Sequence, residues 1–440
     1  MKHLFLTNRF FWLFGGIAAC FALSFAVPPL FVAVQITLLL AFLVVWLDVF
    51  ILFNKNTVVA CQRTLPKVFS LSDPNPVKIK LVNRSSQVLN LMVIDELPFQ
   101  FQQRKQSFQL SLKAGEDFIL SYEVIPKVRG LYEFGAVNLF LSSRIGLVER
   151  RLQQTEPMSV PVYPSIIQMK QFELKAFSKI SHFQGIKKIR RIGHSYEFEQ
   201  IKNYVRGDDY RSINWKASSR RATLMVNQYE DERAQQIYSI IDKSRAMRMP
   251  FNGLSLMDYA INTTLAISNI ALKKYDRAGL ITFSDKIGTT IKADSKVTQL
   301  NKILLSLYKE KERVLEANYE LLYYASRKLI TGRSLIMLYT NFESMYALER
   351  VLPILRRINT IHLLVVVFFE NTEIRAFVEQ EVNTMEDIYH QTIAHKFLYE
   401  KARMVQVLRQ YGIQAILTPP EELTINTINK YLELKSRGLI

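Results

Sequence analysis

Residues 236–247 read QIYSIIDKSRAM, a short apolar run that ends abruptly in a polar loop. Similar runs recur toward the C-terminus, and they are AGLITFS, RSLIMLYT, IHLLVVVFF and IQAILTP. Short runs rich in β-branched residues are typical of strands that are buried on both faces of a sheet. We therefore predict that residues 236–440 form a domain built on one mostly parallel sheet.

The segments between these runs have helical periodicity. LMDYAINTTLAISNIALKKY, residues 256–275, places its apolar side chains along one broad face, and ALERVLPILRRI and YEKARMVQVLRQYG also read as helices. Strands that alternate with helices indicate a doubly wound α/β fold. Ligands of such sheets lie beyond the carboxyl ends of the strands, so the loops to inspect are Asp242–Met247 and Thr340–Ser344.

Upstream, residues 55–165 alternate apolar and polar residues in short runs that Pro, Asn, Ser and Asp interrupt. This pattern is typical of strands with one solvated face. It predicts a β-rich, sandwich-like domain of antiparallel strands. We expect this domain to serve as a spacer or docking unit rather than as a catalyst.

Residues 1–54 contain two long apolar stretches. FFWLFGGIAACFALSFAV, residues 10–27, has no charged residue and spans about 27 Å as a helix, and LFVAVQITLLLAFLVVWLDVFILF follows after Pro28 and Pro29. We predict a transmembrane hairpin, because a cleavable signal peptide has a shorter apolar region and no second span directly after it. The single charge of the second stretch, Asp48, is expected to be paired or to snorkel rather than to relay protons.

Basic residues flank both ends of this hairpin, and the turn between the two spans has none. By the positive-inside rule both ends face the cytoplasm, as do the domains that follow. The 440 residues are 49% hydrophobic and carry a formal charge of +18, which excludes a largely disordered chain and predicts attraction to anionic surfaces.

Residues 166–235 form a basic linker. Its positive charge is concentrated in residues 166–192, where it fits either the lipid headgroups beside the hairpin or an ordinary solvated segment. Nucleic acid is not expected as a partner, since no aromatic stacking motif accompanies the charge. The chain also lacks a GxxxxGK[ST] loop, so we do not expect it to bind ATP itself.

The linker contains the stretch RGDDYRSINWKASSRR, residues 206–221. An aspartate at the start could cap a short helix YRSINWKASSRR, on which Arg211 and Trp215 would stack four residues apart. This segment is either a capped helix that locks the linker onto the α/β domain or a recognition surface for a protein partner. The candidate partner-binding residues are Asp208, Asp209, Arg211, Asn214, Trp215, Lys216 and Arg220.

The loop IIDKSRAM resembles the metal-site loop of von Willebrand factor A-like domains, Asp-x-Ser-x-Ser. Together with EFEQIKNYVRGDDYRSINWKASSRR and RGLYEFGAVNLFLSSRIGLVERR, it makes nearly the whole chain resemble the domain of unknown function 58 family. These are bacterial membrane proteins often associated with MoxR-type AAA+ ATPases. The resemblance implies a location in the bacterial inner membrane and a von Willebrand factor A-like fold for the α/β domain.

The cofactor that this resemblance implies is a bound magnesium ion. Asp242 and Ser244 match two metal positions, whereas Ala246 stands where a serine oxygen is expected and Asn341 stands where an acid is expected. Magnesium requires oxygen ligands in near-octahedral geometry, so these departures weaken the site, although Glu343 or Asp285 could compensate. The alternative is a loop of Asp and Ser that only caps a helix, with no cofactor.

No set of residues resembles a catalytic site, so we do not expect an enzyme. The leading hypothesis is a membrane-anchored adaptor that presents its α/β domain to a MoxR-type AAA+ ATPase, in assembly or stress tolerance of the cell envelope. The alternative hypothesis is a Mg²⁺-dependent ligand-binding domain at the inner membrane surface.

Overall fold

The computed structural model describes residues 3–25, 27, 30–54, 57–102, 106–154, 157–165, 167–171, 197–205, 208–230, 234–380 and 384–439, but not the side chains of 197–200 and 228–230. The chain divides into two compact units, residues 1–165 and 166–440. Most of the basic stretch that the sequence places at 166–192 lies outside the described residues.

The first unit contains two apolar helices, α1 (Asn8–Ser24) and α2 (Leu30–Phe53). Their ring contacts pair Phe14 with Phe42 and Phe21 with Phe31, so the helices run antiparallel. Among the described helices, α2 is the one long and apolar enough to cross a membrane. The prediction of an apolar N-terminal helix is confirmed, but α1 begins and ends earlier than the predicted span 10–27 and has only 17 residues.

Short strands make up the rest of this unit. They are β1 (Leu4–Leu6), β2 (Val59–Thr64), β3 (Phe69–Ser70), β4 (Asn75–Asn83), β5 (Leu89–Asp95), β6 (Ser107–Leu112), β7 (Asp117–Val124), β8 (Gly130–Phe134), β9 (Val137–Ser142), β10 (Val148–Gln154) and β11 (Met158–Tyr163). They form an antiparallel sheet β1-β10-β9-β5-β6, an antiparallel sheet β2-β4-β7 and a small mixed sheet β3-β11-β8.

The two larger sheets face each other through their buried sides. Burial alternates along β4 and β5, as expected of antiparallel strands with one solvated face. Between the sheets the rings of Phe108 and Tyr122 lie 5.3 Å apart, and Arg63 forms an ion pair of 2.6 Å with buried Asp95. These contacts give the unit the sandwich-like arrangement that its alternating sequence predicts.

Strand β1 precedes both helices but pairs with β10, with Leu4 opposite Arg150. The helix pair is therefore inserted between two strands of the same β-rich unit. Three residues carry too little periodicity to be recognised as a strand in the sequence. This edge strand is a feature that sequence reasoning missed.

The second unit is centred on a six-stranded sheet of order β18-β17-β14-β19-β20-β21. Its strands are β14 (Gln236–Asp242), β17 (Arg277–Phe283), β18 (Ile287–Asp294), β19 (Leu335–Tyr339), β20 (Leu363–Phe369) and β21 (Gln414–Thr418). All neighbours are parallel except β18, which pairs antiparallel with β17 at one edge. The five apolar runs of the sequence are thus the five parallel strands.

Helices cover both faces of this sheet. One face packs against α4 (Leu256–Lys273), α5 (Gln299–Lys309) and α10 (Leu423–Ser436), and the other against α6 (Tyr319–Leu329), α7 (Met345–Ile361) and α9 (Met385–Gln410). Successive strand residues alternate between the two cores: Ile237 and Ile241 face one, and Tyr238 and Ile240 face the other. Burial on both faces is why these strands read as continuous apolar runs.

The remaining elements are short. A two-stranded sheet joins β12 (Glu197–Asn203) to β13 (Met225–Glu230), with helix α3 (Trp215–Arg221) between them in the chain. A second small hairpin joins β15 (Pro250–Phe251) to β16 (Leu254–Ser255), and α8 (Thr372–Val378) precedes α9.

Candidate functional site

Strand β14 has β17 on one side and β19 on the other. The strand order therefore reverses at β14, because later strands are added on both sides of it. Ligands of doubly wound sheets bind at such a position, beyond the carboxyl ends of the strands. Two loops meet there, Asp242–Met247 after β14 and Thr340–Ser344 after β19, and we call them the switch-point loops. The sequence predicted both.

Asp242 joins these two loops. Its side chain, 1% exposed, accepts a hydrogen bond of 2.7 Å from Thr340 Oγ1 and one of 2.8 Å from the backbone N–H of Ser244. The buried hydroxyl of Tyr319 lies 2.7 Å from Thr340 Oγ1. Since Thr340 gives its proton to the carboxylate, Tyr319 is the donor to Thr340.

Burial raises the pKa of Asp242, against the donors Ser244 and Thr340, which lower it. Burial also raises the pKa of Tyr319 well above its ordinary value, and the nearby Asp242 carboxylate adds to this. The result is a chain of polar side chains whose hydrogen bonds are satisfied inside the fold. The contribution of Tyr319 was missed because that residue begins a helix far away in sequence.

The two positions that depart from the metal-site pattern lie against each other. Asn341 donates from its amide nitrogen to the carbonyl oxygen of Ala246 at 3.4 Å. The side-chain oxygen of Asn341 accepts a hydrogen bond of 2.8 Å from Lys401 Nζ, which also donates to the carbonyl oxygen of Phe342 at 2.5 Å. Burial lowers the pKa of Lys401 to about 8, although Glu343 acts to raise it.

The side-chain oxygens at the switch point are poorly suited to bind a magnesium ion. Both carboxylate oxygens of Asp242 accept hydrogen bonds from the protein, and Ala246 offers no side-chain oxygen. The acids that could compensate are engaged at the surface, Glu343 near Arg245 and Asp285 with Arg313. Within the described ranges, no three His, Cys, Asp or Glu residues are grouped as metal ligands.

Lys243, between the two candidate ligands Asp242 and Ser244, points to a different partner. Its ammonium lies 2.6 Å from Glu310 Oε2, and Thr282 Oγ1 donates to the other oxygen of Glu310 at 2.9 Å. Burial acts to raise the pKa of Glu310, but the hydrogen bond from Lys243 and its other donors lower it overall. A Cβ at Gly288 would lie 2.4 Å from Thr282 Oγ1 and 2.6 Å from Lys243 Nζ, so a side chain there would displace the groups that hold Glu310.

The candidate partner-binding residues lie in residues 208–221, which we call the aromatic segment. Its two aspartates act locally: Asp208 forms an ion pair of 2.9 Å with Lys202, and Asp209 accepts from the N–H of Arg211 to cap the 3-10 turn Tyr210–Ser212. Helix α3 begins only at Trp215, where Asn214 caps it by accepting from the N–H of Ala217 at 2.9 Å.

The predicted single helix from the aspartates onward is therefore wrong, and so is the stacking of Arg211 on Trp215. Extended backbone at Ile213 separates the 3-10 turn from α3, which breaks the four-residue helical spacing. The guanidinium of Arg211 lies instead 5.7 Å from the ring centroid of Tyr210. The aromatic ring beside Arg211 is thus that of Tyr210, not the predicted Trp215.

Asn214 fastens the aromatic segment to β13. Its N–H donates to the carbonyl oxygen of Met225 at 2.8 Å, and its side chain donates to Asn227 at 2.8 Å. Trp215 and Tyr210 remain 71% and 68% exposed beside this attachment. Lys216 and Arg220 are exposed on α3, and Ala222, the residue that follows the helix, has the left-handed conformation.

A third polar cluster lies in the first unit, in residues 143–148, which we call the junction loop. Buried Asp48 of α2 accepts hydrogen bonds from the hydroxyl of Ser143 and from the backbone N–H groups of Leu147 and Val148, the latter two at 2.9 Å each. Asp48 is paired, one of the two states that the sequence predicted.

The same loop holds the start of α1. Thr7, which caps α1, donates from its hydroxyl to the carbonyl oxygen of Gly146 at 2.8 Å. Gly146 has a φ of +70°, and a Cβ there would lie 3.2 Å from the side chain of Arg9. The motif SSRIGLVERR, recognised in the sequence only as a resemblance, therefore fastens both helices to the β-rich unit.

Comparison with known proteins supports the family resemblance. Residues 200–369 match the family described as protein of unknown function DUF58, a shorter region than the near-complete resemblance that the sequence motifs indicated. An uncharacterized protein of Bacillus subtilis strain 168, YeaD, is 24% identical over 161 residues. The match covers 37% of this chain and 38% of that relative, so the chain spans well under half of the relative's length.

Similar solved structures cover about a quarter of the chain. The CARDB domain of a Pyrococcus furiosus protein is 13% identical at a TM-score of 0.18, covering 24% of this chain and 90% of its own. A PapD-like domain of human CEP192 is 11% identical at a TM-score of 0.18, covering 26% of this chain and 87% of its own. TM-scores this low support no inference about function.

Proposed function

Starting from the match of residues 200–369 to protein of unknown function DUF58, we propose that this chain is a non-enzymatic, membrane-anchored adaptor. Its partner is a MoxR-type AAA+ ATPase, the association that the family resemblance implies, and the process served is assembly or stress tolerance of the bacterial cell envelope. The observation that carries the proposal is the exposed aromatic and basic surface of residues 208–221.

The charge of this surface defines its partner. Within residues 208–221 the basic residues are Arg211, Lys216, Arg220 and Arg221, and the acidic residues are Asp208, which pairs with Lys202, and Asp209, which caps the 3-10 turn. Exposed Tyr210 and Trp215 lie among them. Trp, Tyr and Arg are the side chains most often found as anchors in interfaces, so the matching surface is acidic at its rim and has an apolar pocket.

The anchor in our proposal is a two-span hairpin in the bacterial inner membrane. Large apolar side chains point outward on both helices, including Trp12 at 83% and Trp46 at 75% exposed. Asp48 and Thr7 are both bonded to the junction loop, which puts the two ends of the hairpin at the same body. Helix α1 would extend over about 26 Å, near the thickness of the hydrocarbon core.

The side of the membrane follows from the same attachment. If both ends of the hairpin lie at the β-rich unit, that unit lies on the side of the flanking basic residues, which is the cytoplasm. A soluble ATPase then has access to the aromatic segment. Contact of the unplaced basic linker with lipid headgroups is part of the same proposal.

A von Willebrand factor A-like fold for the α/β domain is also proposed. The support is the strand order, in which the first strand in sequence is flanked by the second and the fourth, and the position of Asp242 at the switch point. Such a domain serves as a binding module, and the internally satisfied side chains Asp242, Thr340 and Tyr319 favour binding over catalysis.

Co-purification from detergent-solubilised membranes tests the partner. We expect a MoxR-type AAA+ ATPase to co-purify with the wild-type chain and to be reduced at least about tenfold with Trp215→Ala or Arg211→Ala. Matched controls are Tyr324→Ala and Arg327→Ala, which remove an exposed aromatic and an exposed basic side chain from α6. Equal recovery of the ATPase with all variants, or no ATPase with the wild type, contradicts the proposal.

A further inference from the structure

A lysine contacts Asn341, the position of the switch point where the family resemblance leads one to expect a cation-binding acid. Lys401 lies in the middle of the long helix α9, which packs on one face of the sheet. Its ammonium donates to Asn341 Oδ1 at 2.8 Å and to the carbonyl oxygen of Phe342 at 2.5 Å. It also lies 5.7 Å from the ring centroid of Phe368, the penultimate residue of β20.

Asn341 passes this attachment on to the second switch-point loop. Its amide nitrogen bonds the carbonyl oxygen of Ala246 at 3.4 Å while its oxygen holds Lys401. Helix α9 and both loops are thereby tied together through a single positive charge. A divalent ion in a site with more acids would perform the same task by coordinating side-chain oxygens from each loop.

The substitutions in this chain are mutually consistent. Asn341 is neutral where an acid is expected, so a single ammonium group satisfies its oxygen, whereas a divalent ion would need more negative charge. Asp242 already accepts from neutral donors on each of its oxygens. Glu343 lies at the surface near Arg245, away from a coordinating role.

We propose that Lys401 is the resident cation of the switch point, and that this domain holds its two loops together without a divalent metal. The proposal concerns the loops of the α/β domain and does not depend on the ATPase partner. Lys401 acts here as a positioning residue, because it orients Asn341 and the turn that follows.

Thermal unfolding of the full chain in detergent tests the first half. We expect the same midpoint in millimolar Mg²⁺ and in EDTA. Lys401→Met should lower the midpoint by several degrees in both buffers, because the acceptors at Asn341 and Phe342 lose their donor. Lys396→Met, which removes an exposed lysine from the same helix, is the matched control and should leave it unchanged. A higher midpoint of the wild type in Mg²⁺, or equal behaviour of the two lysine variants, overturns the proposal.

A gain of metal response tests the second half without requiring a loss of folding. Asn341→Asp alone restores the acid but keeps Lys401, which should pair with it, so we expect no Mg²⁺-dependent midpoint. Asn341→Asp combined with Lys401→Met removes the competing ammonium, and we expect Mg²⁺ to raise its midpoint above the value in EDTA. A response that is equal in the two variants, or absent from both, overturns the proposal.

Discussion

Asp242 at the switch point is 1% exposed, whereas Trp215 in the aromatic segment is 71% exposed, although both were candidates for binding in the sequence. Both carboxylate oxygens of Asp242 accept hydrogen bonds, one from Ser244 and one from Thr340, and Thr340 is bonded in turn to Tyr319. The aromatic segment uses its polar groups to fasten itself to β13 and leaves its rings outside.

This difference separates a site that holds the fold together from a surface that is available to a partner. Buried polar groups are costly unless they are paired, so pairing at the switch point contributes to stability. An exposed tryptophan contributes little to folding and a great deal when it enters a pocket of another protein. Substitutions at the switch point should therefore lower stability, whereas substitutions of the exposed rings in the aromatic segment should weaken binding and leave stability unchanged.

The largest expected effect is a loss of stability at the switch point. Glu310→Gln removes the negative partner of Lys243 and leaves that buried ammonium unpaired, which should cost about 3 kcal/mol near neutral pH. Because the pKa of Glu310 is lowered in the folded state, its stabilising effect is present above the ordinary value of 4.5 and is lost as the pH falls through the folded pKa.

Thermal unfolding as a function of pH measures this effect. The wild type and Glu310→Gln should differ most near neutral pH and converge in acid. Glu316→Gln is the control, because Glu316 pairs with Arg350 at the surface, where an ion pair contributes little. A similar loss of stability in both variants would show that burial of the Lys243 pair is irrelevant.

The second-largest expected effect is a loss of partner binding that leaves the stability of the chain unchanged. Trp215→Ala should weaken binding of the purified ATPase by about 2 kcal/mol, roughly 30-fold, since an exposed aromatic anchor loses its pocket. Its free energy of unfolding should stay within about 0.5 kcal/mol of the wild-type value, because the side chain is a surface group. Equilibrium binding and unfolding of the same preparation check both values, and a destabilised Trp215→Ala would remove the distinction between the two regions.

The smallest effect is a pH dependence from Asp242. Its pKa is raised in the folded state, chiefly by burial, so the folded chain holds this proton more readily than the unfolded chain. The contribution of Asp242 is thus fully present below the ordinary value of 3.8 and is lost as the pH rises through the folded pKa.

Asp242→Asn should abolish this pH dependence, which unfolding measured at several pH values can detect. The sign is opposite to that of Glu310→Gln. If both variants change the pH profile in the same direction, the contrast between an ion-paired acid, Glu310, and a buried acid with only neutral donors, Asp242, is mistaken.

The β-rich unit repeats the comparison within a single helix. Asp48 is buried by three donors of the junction loop, and Trp46, two residues earlier, is 75% exposed. Their opposite exposure allows one end of α2 to be bonded to protein while its outer surface remains apolar. In the proposed membrane arrangement, that surface faces lipid.

Local sequence pattern determined the classes of structure in this protein. The long apolar stretches form helices, and the alternating runs form antiparallel strands with one buried and one exposed face. The uninterrupted runs form strands that are buried on both faces. Each of these follows from the period with which side chains repeat along one segment, so neighbouring residues are enough to predict it. The loops after β14 and β19 were predictable for the same reason, once the sheet was taken as parallel.

Only the tertiary structure decided which side chains meet. Lys401 reaches Asn341 from 60 residues away, Asp48 meets a loop some 100 residues later, and β1 pairs beyond two helices with β10. No periodicity links such positions, because their contacts arise when separate elements pack and the backbone between them turns. For that reason the sequence predicted which two loops form the site, while packing brought Tyr319 and the ammonium group of Lys401 to them.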